Sequence, residues 1–226
     1  MHLDGGRDGT HCLALRFVAP TAHGATPIPA KLLCFSLCLT VVCLAGSRAA
    51  TAQESDRLKE QVAICAACHG ENGVPPEKTT PIIWGQTLGY QYLQLRDYKN
   101  GDRKSDQMTP VVEMLERPDL LALAEYFSKQ PWPRTAAAPA PKAMAEQAAR
   151  ANTAVGCTGC HQGQYQGEGT QPRLAGQNKE YMSKTMFEIR SGERANNPGM
   201  TTLMRATSPD DINALAEYLA GLDVVR

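Results

Sequence analysis

The 226-residue chain is 42% hydrophobic and 20% charged, the composition of a folded globular protein rather than of a collagen-like or disordered one. Its 23 Lys and Arg balance 23 Asp and Glu, so no polyelectrolyte-binding surface is advertised and the charge argues against a nucleic-acid partner. The eight cysteines would suit a disulfide framework by number, but four of them, Cys12, Cys34, Cys38 and Cys43, fall in an atypical N-terminal segment.

Residues 1–30 carry Gly, Pro, His and two Asp residues without periodicity, and they are too long for a usual signal n-region, which suggests a start further downstream. Lys31 then precedes residues 32–45, an uncharged and mostly apolar run of 14, and Ala50-Thr51-Ala52 gives a small-x-small cleavage pattern before Gln53. Residues 1–52 therefore read as an N-terminal extension and signal peptide, cleaved after Ala52. The apolar run is short of the roughly 20 residues that a membrane span needs, with an uncleaved signal as the alternative. A lipoprotein signal fits poorly, because Val42 precedes Cys43 where that pattern wants a small residue. Removing this segment takes away four basic residues (Arg7, Arg16, Lys31, Arg48) and two acidic ones (Asp4, Asp8), leaving 19 basic against 21 acidic, a net charge of −2.

The remainder repeats itself. Cys65-Ala66-Ala67-Cys68-His69 recurs 92 residues later as Cys157-Thr158-Gly159-Cys160-His161. Pro81, Gly85-Gln86 and Tyr90 recur at an offset of 91 as Pro172, Gly176-Gln177 and Tyr181; Met108 and Ala124-Glu125-Tyr126 recur at 92 as Met200 and Ala216-Glu217-Tyr218. Two homologous modules follow, 53–130 and 142–226, joined by a Pro/Ala-rich linker, 131–141, whose prolines favour an extended chain. Within each module the spacing predicts helices and no strands. Residues 56–67 and 143–155 enter each CxxCH, and 88–98 and 179–190 form mid-module helices. Arg117-Pro118-Asp119 and Ser208-Pro209-Asp210-Asp211 open the last helices, whose buried faces should be Leu120, Leu123, Ala124, Phe127 and Ile212, Leu215, Ala216, Leu219. The irregular stretches 70–86 and 162–177 leave modules of about 80 residues short of core, a need that a large apolar cofactor would meet.

CxxCH is the attachment signature of c-type haem, in which two thiols form thioethers to the porphyrin vinyls and the adjacent His reaches iron. Cys65, Cys68, Cys157 and Cys160 are thus expected to bind two covalent haem c groups, with His69 and His161 as iron ligands. A thioredoxin-like redox pair would need a βαβ context, and a four-Cys zinc site would have to join the two modules and leave both histidines unexplained. Beyond residue 52 no other histidine or cysteine remains, so a methionine thioether is the best sixth ligand, although counting alone leaves lysine open. Only Met108 and Met200 correspond between the modules, and both sit in loop-like contexts. Met114, Met144, Met182, Met186 and Met204 are read as core filling. A carbonyl near Pro81 or Pro172 is a plausible acceptor for each histidine's other ring N–H. Tyr90, Tyr126, Tyr181 and Tyr218 are read first as packing.

With these motifs, and with Gly101-Asp102-Arg103, Met108-Thr109-Pro110, Pro172-Arg173-Leu174-Ala175-Gly176-Gln177 and Gly192-Glu193-Arg194, the exported chain resembles the dihaem class I cytochromes c of the c4 type. The resemblance implies an all-α protein of two tandem class I cytochrome c domains, related by an approximate twofold axis with haem propionates facing across the interface. It further implies a periplasmic electron carrier of a respiratory chain, passing single electrons towards a terminal oxidase. Partners would be redox proteins, such as a membrane oxidase or quinol–cytochrome c reductase, met through transient or peripheral membrane contact. The competing reading is a dihaem subunit of a larger dehydrogenase, such as a sulfide-oxidising flavocytochrome c. Catalysis by the chain itself is not expected, because both axial positions would be filled. Two departures stand out: Ile82-Ile83-Trp84 against Arg173-Leu174-Ala175, and Gln162 after His161 where Gly70 follows His69, so the two haem environments should differ.

Overall fold

The computed structural model describes residues 53–135 and 137–224. The expected signal peptide, its cleavage after Ala52 and the four N-terminal cysteines lie outside the described residues. Helix α1 occupies residues 53–69. It is followed by α2 (Leu88–Asn100), α3 (Met108–Glu113), α4 (Arg117–Ser128), α5 (Lys142–Val155), α6 (Cys157–His161), α7 (Lys179–Ser191), α8 (Pro198–Ala206) and α9 (Pro209–Ala220). The described residues hold no β-strand, only an isolated bridge between Glu168 and Gln171. None of their helices is long and apolar enough to cross a membrane.

The last helix of each module starts where its capping residues direct. The Glu116 and Asp119 side chains form a reciprocal capping box at the start of α4, and Ser208 Oγ accepts the Asp211 N–H at 3.1 Å before α9. Their apolar faces are buried as the spacing requires: Leu120, Leu123, Ala124 and Phe127 on α4, and Ile212, Leu215, Ala216 and Leu219 on α9. Helix α2 packs on α3 and α4, and α7 packs on α8 and α9 in the same way. In the second module α5 also lies against α9, where Ala148, Ala151, Ala214 and Ala216 let the two helices approach closely. The first module has larger core residues, among them Tyr98, Val112, Leu115 and Phe127.

Described residues 129–141 contain no helix. Trp132 in this stretch covers both Gly-Gln turns: a Cβ on Gly85 would lie 2.9 Å from its backbone N, and one on Gly176 would lie 3.1 Å from its indole Nε1. Both glycines also hold a positive φ, so a side chain is excluded twice over. The Arg173 guanidinium stacks 4.5 Å above the Trp132 ring.

Two expectations are corrected. Met108 and Met200 are not in loops but in the first turns of α3 and α8. Pro110 and Pro198 sit in those first turns, where the missing N–H costs no intrahelical bond. Met114 does not fill the core: it is 68% exposed just past α3, and the neighbouring Leu115 occupies the buried position instead. Met182 and Met204 are buried, and Met144 and Met186 pack against the same core.

Candidate haem-binding site

Helix α1 ends on the first CxxCH, and α6 carries the second, so both cysteines of each pair sit on one helical turn with the histidine at its end. Cys65 and Cys157 are half-buried, Cys68 and Cys160 are exposed, and all four are free thiols. Burial pushes the Cys65 thiol up to about 11 and raises Cys157 as well, the reverse of a thiolate nucleophile. Among the described residues no cluster of His, Cys, Asp and Glu suits a bare metal ion.

Both histidines are buried and locked in the same way. His69 Nδ1 lies 2.8 Å from the Pro81 carbonyl, and His161 Nδ1 lies 2.9 Å from that of Pro172. With Nδ1–H donating, the Nε2 lone pair is the one left for a metal. Burial lowers both imidazole pKa values, partly opposed by those carbonyls, so each ring is held in the neutral, ligating form.

The candidate methionines are also held alike. The Met108 N–H donates to Ser105 Oγ at 3.2 Å, and the Met200 N–H donates to Asn197 Oδ1 at 3.0 Å, each acceptor three residues upstream. Both side chains are half-buried, and Met108 packs against the first core.

Between the modules lies a group of cations to which sequence reasoning gave no role. Arg103 donates to Tyr181 Oη at 3.5 Å and Arg194 to Tyr90 Oη at 3.2 Å, a reciprocal exchange between matched positions. Gln94 Oε1 accepts from both guanidiniums. Neither arginine pairs with a carboxylate among the described residues, and the two charges are close enough to repel. Burial pushes the Tyr181 hydroxyl up, but Arg103 and Arg194 outweigh it and hold it at about 7. Tyr90 and Tyr181 thus do more than pack, whereas Tyr126 and Tyr218 lie against the two cores. A largely buried pair of arginines without a carboxylate partner at the module boundary suits the carboxylates of a porphyrin, and buried neutral histidines beside paired thiols suit its iron and vinyls. The residues present therefore fit haem c. The only advance signal for the arginines was their recurrence at an offset of 91.

Comparison with known proteins agrees. The family described as Cytochrome c matches residues 145–223. Cytochrome c4 of Pseudomonas aeruginosa is 34% identical over 172 residues, covering 72% of this chain and 85% of the relative. A thiosulfate dehydrogenase electron acceptor of Stutzerimonas stutzeri is 31% identical over 169 residues, covering 70% and 78%. The crystal structure of reduced recombinant cytochrome c4 from Pseudomonas stutzeri superposes with a TM-score of 0.65 at 31% identity, covering 74% of this chain and 98% of that one. The chain therefore belongs to the cytochrome c4 family of dihaem electron-transfer proteins, built from two tandem class I cytochrome c domains that carry covalently bound haem c.

Proposed function

We propose that this protein is a periplasmic carrier that passes single electrons towards a terminal oxidase, with one haem c in module 53–130 and another in module 142–226. The repeated histidine geometry carries this reading: in both modules a buried imidazole is fixed through Nδ1 by a proline carbonyl, beside two free thiols. In it Cys65 and Cys68 would hold one haem and Cys157 and Cys160 the other, with His69 and Met108, and His161 and Met200, as the residues that would ligate iron.

Bound haem supplies one-electron chemistry at iron. His69 with Met108 and His161 with Met200 would ligate iron, burial and the proline carbonyls keep the imidazoles neutral and oriented, and Arg103 and Arg194 would face the haem carboxylates. With both ligands of each pair retained, electron transfer would be outer-sphere, with no bond made or broken. Electron exchange with partners is transient, steered by local charge rather than by a net charge near zero. A second reading, a dihaem subunit or dedicated acceptor of a dehydrogenase, is favoured by the likeness to a thiosulfate dehydrogenase electron acceptor.

Pyridine haemochrome quantification tests the attachment: the wild type should hold two haems per chain, and Cys65→Ala with Cys68→Ala should halve the count. Met108→Ala and Met200→Ala should each remove the weak ferric methionine-to-iron absorption at the red end for one haem only. An unchanged haem content, or an untouched ferric spectrum in both methionine variants, refutes the assignment. Co-purification from the native periplasm distinguishes a free carrier from a dehydrogenase subunit.

A further inference from the structure

The two modules are stapled by a reciprocal pair of glutamines. Gln177 Oε1 accepts the Ile82 N–H at 2.8 Å while its Nε2 donates to the Ile82 carbonyl at 2.9 Å. In mirror fashion Gln86 Oε1 accepts the Arg173 N–H at 2.7 Å and its Nε2 donates to the Arg173 carbonyl at 3.0 Å. Ile82 and Arg173 are matched positions, and each follows the proline whose carbonyl accepts the histidine Nδ1–H. One peptide group therefore faces both partners. The Pro81–Ile82 peptide accepts from His69 at its oxygen and donates to Gln177 at its nitrogen; the Pro172–Arg173 peptide links His161 to Gln86 likewise.

We propose that Gln177 and Gln86 are cross-module positioning residues, each adjusting the iron of the opposite module through that single peptide. A peptide whose N–H is donated becomes a better acceptor at its carbonyl, because the amide is polarised as a whole. A better acceptor draws the histidine Nδ1 proton, makes the ring a stronger donor to iron and stabilises the oxidised state. The effect is not diluted by water: Ile82 is 1% exposed, Arg173 2% and both glutamines 4%. The amide orientations are fixed too, since Gln177 Oε1 also accepts the Asn178 N–H and Gln86 Oε1 the Thr87 N–H, both at 2.9 Å; a flip would set NH₂ against two donors. Docking of the modules then sets both potentials, and loosening the interface raises them together.

The inference rests on His69 and His161 being iron ligands. Loss of that reading appears as a wild-type holoprotein without a low-spin c-type spectrum, so the two can fail separately. The test is spectroelectrochemical titration of the intact dihaem protein, with the haems told apart by their hyperfine-shifted methyl resonances. Gln177→Met, on the second module, should raise the potential of the first-module haem and leave the second unmoved; Gln86→Met should do the reverse. Gln177→Glu, whose buried carboxyl group retains an acceptor for the Ile82 N–H and when protonated a donor for its carbonyl, should not raise the first. With the low-spin spectrum intact, the proposal is overturned if Gln177→Met moves neither haem, moves only the haem of its own module, or moves both equally. If Gln177→Met does not yield folded protein, Gln86→Met decides on the mirrored pattern.

Discussion

Gln162 stands where the first module has Gly70, and replacing it with glycine should stabilise the protein. The residue after His161 adopts φ 69° and ψ 162°, a region open essentially to glycine alone. At the equivalent place Gly70 has φ 88°, and a Cβ there would lie 2.1 Å from the Val74 carbonyl oxygen. Such a conformation costs a non-glycine residue about 1–3 kcal/mol. Against this, glycine frees the unfolded chain by about 0.5–1 kcal/mol. Gln162 forms no side-chain hydrogen bond among the described residues, so little else is lost. The net gain for Gln162→Gly then lies between about 0 and 2.5 kcal/mol, about 1 kcal/mol at mid-range. For a unit of 60–100 residues each kcal/mol moves Tm by about 4–8 °C. Differential scanning calorimetry of the dihaem protein should show the transition of the second module moving up while that of the first stays. The reverse change, Gly70→Ala, should lower the first transition, because the clash is with backbone that cannot step aside. A Gln162→Gly protein with an unchanged or lowered second transition would refute the strain argument.

Asp119 gives a pH-dependent prediction. Burial pushes its carboxyl group up, but the Glu116 N–H, Gln61 and Arg57 outweigh burial and hold it below the usual carboxylate range. With the folded pKa depressed, its contribution is complete above the unfolded value of about 3.9 and is lost as pH falls through the folded value. Asp119→Ala should therefore cost about 1 kcal/mol near neutrality, as loss of a capping residue does, and in urea titrations the cost should shrink as pH falls through the depressed folded value. Leu123→Ala, at a core position 1% exposed, should destabilise the first module by about 2–5 kcal/mol in the same assay while both haems stay attached.

Residue types and their local spacing were enough to say which residues could do chemistry and which segments would be helical. A CxxCH motif is a covalent spacing, an N-cap is a local hydrogen bond and an apolar face is a local periodicity, so each is legible within one stretch of chain, and duplication multiplied the signal. Even some second-neighbour detail followed, as the Pro81 and Pro172 carbonyls on the histidines show. Local signals also misled: Met108 and Met200 read as loop residues although each lies in the first turn of a helix. Met114 read as core because its hydrophobicity says nothing about which way it faces. The partners of Gln86, Gln177, Arg103 and Arg194 emerged from the packing of the two modules. Those partners lie 78 to 104 residues away in sequence, on the other module. A polar side chain carries no record of its acceptor, since that depends on how two separately patterned surfaces dock. The repeat showed that these residues mattered twice; the docked modules showed to what each was joined.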